Sequence, residues 1–208
     1  MRESPATASP LVDTPLAESP AIDATVAGRQ PRLPVYIGLG ANLADPRHQV
    51  EQALLELQGL PDSHLAAVSP LYCTAPVGPA DQPDFINAVA CLETALEPLA
   101  LLSALQQIER HHGRIRTGRR WGPRTLDLDI LLIAERVLDV PGLRVPHPHL
   151  QTRAFVLVPL ADIAPPRLDI PGHGPLDTLL GAVADEARTM VPVPVDAPRV
   201  NTRRSMSL

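Results

Sequence analysis

The chain contains no lysine; all 18 of its Lys-or-Arg positions are arginine. It has only two cysteines, Cys73 and Cys91, too few for a disulfide framework and at no metal-binding or redox spacing. Both are expected as packed, reduced thiols in a cytoplasmic protein. Aromatic residues are equally scarce, with one tryptophan, two tyrosines and two phenylalanines, so the position of each is informative. No apolar run approaches the ~20 residues that span a bilayer, and the N-terminus lacks a signal peptide's apolar core. A membrane partner and secretion are therefore not expected. With 45% apolar residues, 208 residues in all and a formal charge of −5, the remaining class is one soluble globular domain with room for loose ends.

Proline, by contrast, is abundant at 25 residues. Residues 1–33 are rich in Pro, Ala, Ser and Thr without hydrophobic periodicity, which predicts a disordered extension. Residues 191–208 are proline-punctuated and then polar, which predicts a loose tail. Between them, residues 34–190 are expected to form the domain. Val35 to Leu39 reads as a buried strand, and Asp45-Pro46 as the start of a helix that runs to about Gln58. Leu65 to Tyr72 and Phe85 to Leu92 read as the next two strands, joined by a proline-rich loop. Pro98 opens a second helix that Gly113 ends, and Leu126 to Ile133 is the fourth strand. The order β-α-β-β-α-β predicts an α+β, ferredoxin-like fold: an antiparallel sheet with helices packed on it. A short strand at Val137 to Val140 and helical additions near Thr152 to Leu160 and Leu176 to Ala187 would follow.

The chemistry gathers around the fourth strand. Alternation along a strand puts Asp127 and Asp129 on one face, ~7 Å apart at the backbone, and Leu126, Leu128 and Ile130 on the other. Two same-face carboxylates repel unless positive charge lies between them. The bare D-x-D also suits a solvent-facing strand. What favours a site is the preceding segment: Arg110, Arg114, Arg116, Arg119, Arg120 and Arg124 fall in a stretch with no acidic residue. The other 12 arginines face 23 carboxylates, a net of −11. Arginine suits bidentate phosphate recognition, and Gly113, Gly118 and Gly122 allow close approach. Carboxylate oxygens suit Mg²⁺, which binds through one or two carboxylates plus substrate phosphates. The combination points to a nucleoside triphosphate and magnesium site. A non-catalytic nucleotide- or RNA-binding module on the same fold is the alternative, but nucleic acid is disfavoured because no paired aromatic residues suited to base stacking are present.

Five collinear motifs carry a family resemblance: G-L-G-A-N-L from Gly38, T-A-P-V-G-P-A-D-Q-P-D-F-I-N-A-V from Thr74, G-R-I-R from Gly113, R-W-G-P-R-T-L-D-L-D-I from Arg120 and V-P-H from Val145. Together they resemble 6-hydroxymethyl-7,8-dihydropterin pyrophosphokinases, which move diphosphate from ATP to a pterin alcohol in folate synthesis and release AMP. The resemblance implies that Asp127 and Asp129 hold two Mg²⁺ ions. It implies that Arg114, Arg116 and Arg124 neutralise the transferring phosphates, with Arg120, Ile130, His147 and Arg153 as further ATP contacts. Phe85 and Phe155 would stack on the pterin, Asn87 with Thr74, Pro76 and Val77 would read its edge, and Trp121 would close over the substrates. Core packing of the two phenylalanines and a buried structural His147 are the alternatives. Glu109 would orient its neighbours or pair with Arg110 or Arg114. Ala41, Phe85 and Pro148 depart from the motif residues usual at their positions, serine, tyrosine and an aromatic. A monomer acting on small molecules is expected.

Overall fold

A computed structural model describes residues 30–78, 81–114 and 122–194. The elements run β1 (Leu33–Ala41), α1 (Pro46–Gln58), β2 (Ser63–Val68), β3 (Tyr72–Thr74), β4 (Phe85–Thr94), α2 (Pro98–His111) and β5 (Asp127–Ile133). After these come a hairpin of β6 (Leu138–Val140) and β7 (Leu143–Val145), then α3 (Ala154–Ile163), β8 (Asp169–Ile170), β9 (Gly174–Pro175), α4 (Leu176–Ala182), α5 (Ala184–Ala187) and β10 (Val191–Pro192). The main sheet is antiparallel in the order β10-β3-β4-β1-β5, with β2 also on β4. The β-α-β-β-α-β core is thus the expected ferredoxin-like one. No helix among the described residues is long and apolar enough to cross a membrane.

Local chemistry explains the helices. Asp45 accepts the His48 N–H as N-cap of α1, Pro46 takes a first-turn position where its missing N–H costs nothing, and Val50, Ala53 and Leu57 form the buried stripe. In α2 the stripe is Leu101, Leu105 and Ile108, followed by a buried carboxylate, Glu109.

Parity on β1 divides the molecule. Val35, Ile37, Leu39 and Ala41 pack with Ala88, Ala90, Leu92, Leu128 and Ile130 against α1 and α2. Tyr36 lies on the other face, in a second core with Val89, Cys91, Leu131, Leu132 and the α3 residues Leu157 and Leu160. The sheet is therefore covered on both faces, the second by the C-terminal helices.

Two sequence expectations are corrected. The strand expected over Leu65 to Tyr72 is two strands, interrupted at Ser69-Pro70-Leu71. Proline cannot donate to a ladder, and here Ser69 stands in: its N–H donates to the Val89 carbonyl and its Oγ accepts the Val89 N–H. The tail expected to be loose from residue 191 begins instead as β10, paired with β3 and extended by a Val193 N–H to Leu71 carbonyl bond of 2.8 Å. The extension over residues 1–29 and the tail from 195 lie outside the described residues.

Candidate functional site

A cleft of about 270 Å³ opens on the face of the sheet opposite α1 and α2. Its floor exists because β1 is glycine at Gly38 and Gly40. In register, Gly38 faces Asp129 on β5 and Val89 on β4, while Gly40 faces Asp127 and Asn87. A Cβ on Gly40 would stand 3.0 Å from Asn87 Oδ1, and one on Gly38 3.4 Å from Leu131 Cδ2. A carboxamide and a carboxylate thus flank a backbone trough with no side chain between them.

At one end the charges converge. Arg114 and Arg124 each place Nη1 on a different oxygen of Asp127. Arg114 Nη1 also donates to Glu109 Oε1, which accepts the Leu128 N–H at 2.9 Å. β5 is an edge strand, so Glu109 satisfies a ladder donor that would otherwise face no partner strand. Of the two pairings expected for Glu109, the arginine is Arg114.

Asp129 is held differently. Its side chain is 44% accessible through the mouth of the cleft, yet it lies deep among protein atoms. That desolvation, and then the neighbouring Asp127 charge, push its pKa up to about 7, with Arg153 and Arg114 only partly opposing. His147 Nε2 is 3.9 Å from Asp129 Oδ2. Its Nδ1 accepts the His149 N–H at 3.2 Å, which leaves the proton of the neutral ring on Nε2, facing Asp129. Burial, then the Arg153 and His149 charges, lower the His147 pKa to about 4. β5 carries one extra residue against β1, Leu131, and the Leu131 carbonyl accepts the His147 N–H at 3.0 Å. A bulge thereby aims the histidine.

The rest of the lining is largely apolar. Thr74, Val77, Phe85, Asn87 and Phe155 all belong to it. Asn87 Nδ2 donates to Thr74 Oγ1 at 2.7 Å, fixing the carboxamide orientation with its oxygen toward Gly40. The Arg153 guanidinium lies over the Phe155 ring, 5.5 Å from its centroid.

Most sequence-derived positions meet here, with exceptions. The Ile130 side chain points to the α1 and α2 core, because it has the opposite parity to both aspartates; only its backbone faces the site's strand edge. Pro76 is beside the lining residues, among which Ala75 stands instead. Arg116, Arg119, Arg120 and Trp121 lie outside the described residues. Four contributors were missed: His149, Gly38, Gly40 and Asn42. Buried Asn42 accepts the Arg124 N–H at 2.8 Å and donates its amide to Gln82 Oε1 and the Pro83 carbonyl. An asparagine directly after a strand, inside a glycine motif, was the available signal.

The donor set suits a hard divalent cation, since two carboxylates share a face and one lacks a full cationic partner. Among the described residues no group of three or more His, Cys, Asp or Glu closes a metal site alone. Further oxygens would have to come from a phosphate ligand and water.

Residues 36–165 match the family described as 7,8-dihydro-6-hydroxymethylpterin-pyrophosphokinase. A Pseudomonas aeruginosa protein named 2-amino-4-hydroxy-6-hydroxymethyldihydropteridine pyrophosphokinase is 56% identical over 158 residues, 76% of this chain and 96% of that one. A Haemophilus influenzae protein of the same name is 50% identical over 62% of this chain and 80% of its own. A Schizosaccharomyces pombe folic acid synthesis protein is 41% identical over 70% of this chain and 20% of its own. Among solved structures, a Plasmodium falciparum HPPK-DHPS with pterin and p-hydroxybenzoate superposes with a TM-score of 0.61 at 13% identity, covering 82% of this chain and 49% of that one. This chain spans about half the length of that structure, and at such low identity the likeness speaks to fold alone. The sequence match, spread over the strands that carry the glycines, the aspartates and Asn87, is what decides: the chain belongs to the 7,8-dihydro-6-hydroxymethylpterin-pyrophosphokinase family.

Proposed function

We propose that this chain is a Mg²⁺-dependent transferase that moves diphosphate from ATP to the hydroxymethyl oxygen of 6-hydroxymethyl-7,8-dihydropterin, releasing AMP, in folate synthesis. The observation that carries the reading is the lining of the cleft: paired carboxylates with two arginines, and in the same cleft a fixed carboxamide and two phenylalanines.

The pterin oxygen attacks the β-phosphorus in line. The new O–Pβ bond forms as the bond from Pβ to the oxygen bridging the α-phosphate breaks, and that oxygen leaves on AMP. Divalent cations held by Asp127 and Asp129, two by our reading, would neutralise phosphate charge beside the breaking bond. Arg114 and Arg124 already converge on that corner and offer their guanidinium N–H groups to the phosphates, while Glu109 keeps Arg114 aimed. His147 and Arg153 are assigned as ATP contacts, with Arg116 and Arg120. Asn87 reads the pterin edge, the Phe85 and Phe155 rings stack on its faces, and Trp121 has the role of excluding water.

By this reading the working unit is a monomer. Two free cysteines support a cytoplasmic site of action. We assign the activity to residues 34–190 and no catalytic part to the extension before them. The test is to incubate the protein with ATP, Mg²⁺ and the dihydropterin and to follow nucleotide products. Pterin-dependent AMP formation that stops on chelation supports the reading. Intact ATP binding without turnover would leave the binding-module alternative.

A further inference from the structure

We infer that His112, carrying protons on both ring nitrogens, is a positioning residue that ties the near end of the arginine-bearing segment to the β1–α1 turn. The inference rests on the family reading for its readout and on hydrogen-bond geometry for its content. His112 is the C-cap of α2, where its N–H reaches the Ile108 carbonyl at 3.1 Å. Two residues on, the Arg114 N–H donates to the Glu109 carbonyl at 3.0 Å. Whatever holds His112 therefore sets where Arg114 begins.

Two bonds to α1 hold it. Nδ1 meets Gln49 Oε1, and Nε2 meets Glu56 Oε1 at 2.7 Å. The Gln49 amide cannot be turned round at no cost, because its Nε2 donates to the Ala44 carbonyl at 2.9 Å. That leaves a carbonyl oxygen facing Nδ1, and a carbonyl oxygen only accepts. The carboxylate facing Nε2 likewise accepts. Both nitrogens must donate, so the intact arrangement requires the imidazolium form. The ring is nearly closed off, with 8% of its side chain accessible. The titratable groups facing it are Glu56 from α1 and, against the other oxygen of that carboxylate at 3.8 Å, His111 from its own helix.

The same short turn serves the far end of the segment. Asn42 binds Arg124, and Ala44, two residues later, receives Gln49 and through it His112. Both catalytic arginines are thereby referenced to residues 42–44. A ring with a single proton could keep only one of the two bonds, to Gln49 or to Glu56.

The experiment compares full-length wild type with His112→Gln and Gln49→Leu. AMP formation is followed from about pH 6 to about pH 9, and the His112 ring is titrated by NMR in the absence of substrates. We expect kcat to fall roughly tenfold in each variant, the rate equivalent of one hydrogen bond to a charged group. KM for the pterin, which binds at the other end of the cleft, should stay unchanged, and the double variant should be no slower than either single one. Wild-type kcat should decline with rising pH at the midpoint of the NMR titration, and His112→Gln should lack that decline. A neutral ring at the pH of highest activity would overturn the inference, as would variants with wild-type kcat and pH profile. The NMR arm needs neither turnover nor a variant that folds. A wild type that makes no AMP would refute the proposed function instead, leaving the protonation result to stand or fall alone.

Discussion

Asn42 and Arg124 hold each other by two hydrogen bonds: the Asn42 N–H donates to the Arg124 carbonyl at 3.0 Å, and the Arg124 N–H donates to Asn42 Oδ1 at 2.8 Å. The same carboxamide reaches the Pro83 carbonyl at 3.1 Å. One side chain thus ties Arg124 to the loop that leads into Phe85. Asn42→Ala leaves the part-buried Arg124 N–H without its acceptor, which costs about 1 kcal/mol of stability. It should also lower kcat by about a hundredfold, since small misplacements near reacting groups are expensive. Urea unfolding and steady-state assays on the same preparation measure the two effects; a stability loss with unchanged kcat would reduce Asn42 to a fold residue.

Asp127→Ala and Asp129→Ala should each abolish AMP formation while leaving the far-UV CD spectrum of the folded protein. Cation binding read by calorimetry should fall with turnover in both. If either variant kept near-normal rate, the pair would not be the cation ligands.

The raised pKa of Asp129 has a defined effect on stability. In the ligand-free folded protein the group holds its proton up to about pH 7, against an ordinary carboxylate value of 3.8. Folding therefore takes up a proton in that window, and stability present at low pH is lost as pH rises through about 7. Asp129→Asn removes the loss. Its Tm should exceed that of wild type by roughly 2–4 °C at pH 8, the scale of about 1 kcal/mol in a domain of this size, and the gap should close toward pH 4. Equal Tm values at pH 8 would show that the carboxylate carries no such strain.

His147 acts with the opposite sign. Its pKa is lowered from 6.5 to about 4, so between those values the unfolded chain binds the proton that the folded one refuses. Stability falls as pH drops through that window and is level above it. His147→Gln should show a shallower acid limb in thermal melts than wild type. An identical limb would mean that the imidazole is freely protonated in the folded protein.

The two floor glycines should differ in their tolerance of a methyl group. Gly40→Ala puts a Cβ 3.0 Å from Asn87 Oδ1, and Gly38→Ala puts one 3.4 Å from a leucine methyl that can yield. Displacing the Asn87 carboxamide should raise KM for the pterin about tenfold, the scale of one lost hydrogen bond. Gly38→Ala should leave that KM within about twofold. Reversal of this order would mean that the Asn87 carboxamide does not read the pterin.

How much of this was legible beforehand depended on range. The pairing of Asp127 with Asp129 on one face follows from strand alternation alone, and the helix from Asp45-Pro46 from local capping. That Asp127 looks across at Gly40, and Gly40 at Asn87, is a matter of register between residues that stand 87 and 47 positions apart, and no local pattern encodes it. Ile130 was assigned to ATP by motif, although its parity already placed it on the opposite face. The break at Pro70 was visible as a proline, but its repair by the Ser69 hydroxyl required knowing that Val89 lies opposite. His112 stood in the sequence as half of an unremarkable His-His pair, because both its partners come from α1.

The alternation Val191-Pro192-Val193-Pro194 that follows α5 has a consequence for association. The Val193 N–H turns inward to Leu71, and Val191 shares that orientation, so Pro192 and Pro194 occupy the outward positions. Proline has no N–H there to offer. The last strand at that edge therefore completes the ladder of β3 while presenting acceptors without donors to the outside, and a second strand arriving there would find no reciprocal hydrogen bonds. Pro192→Thr restores a donor without altering the inward pairing, and with it a docking edge for a second copy of the chain.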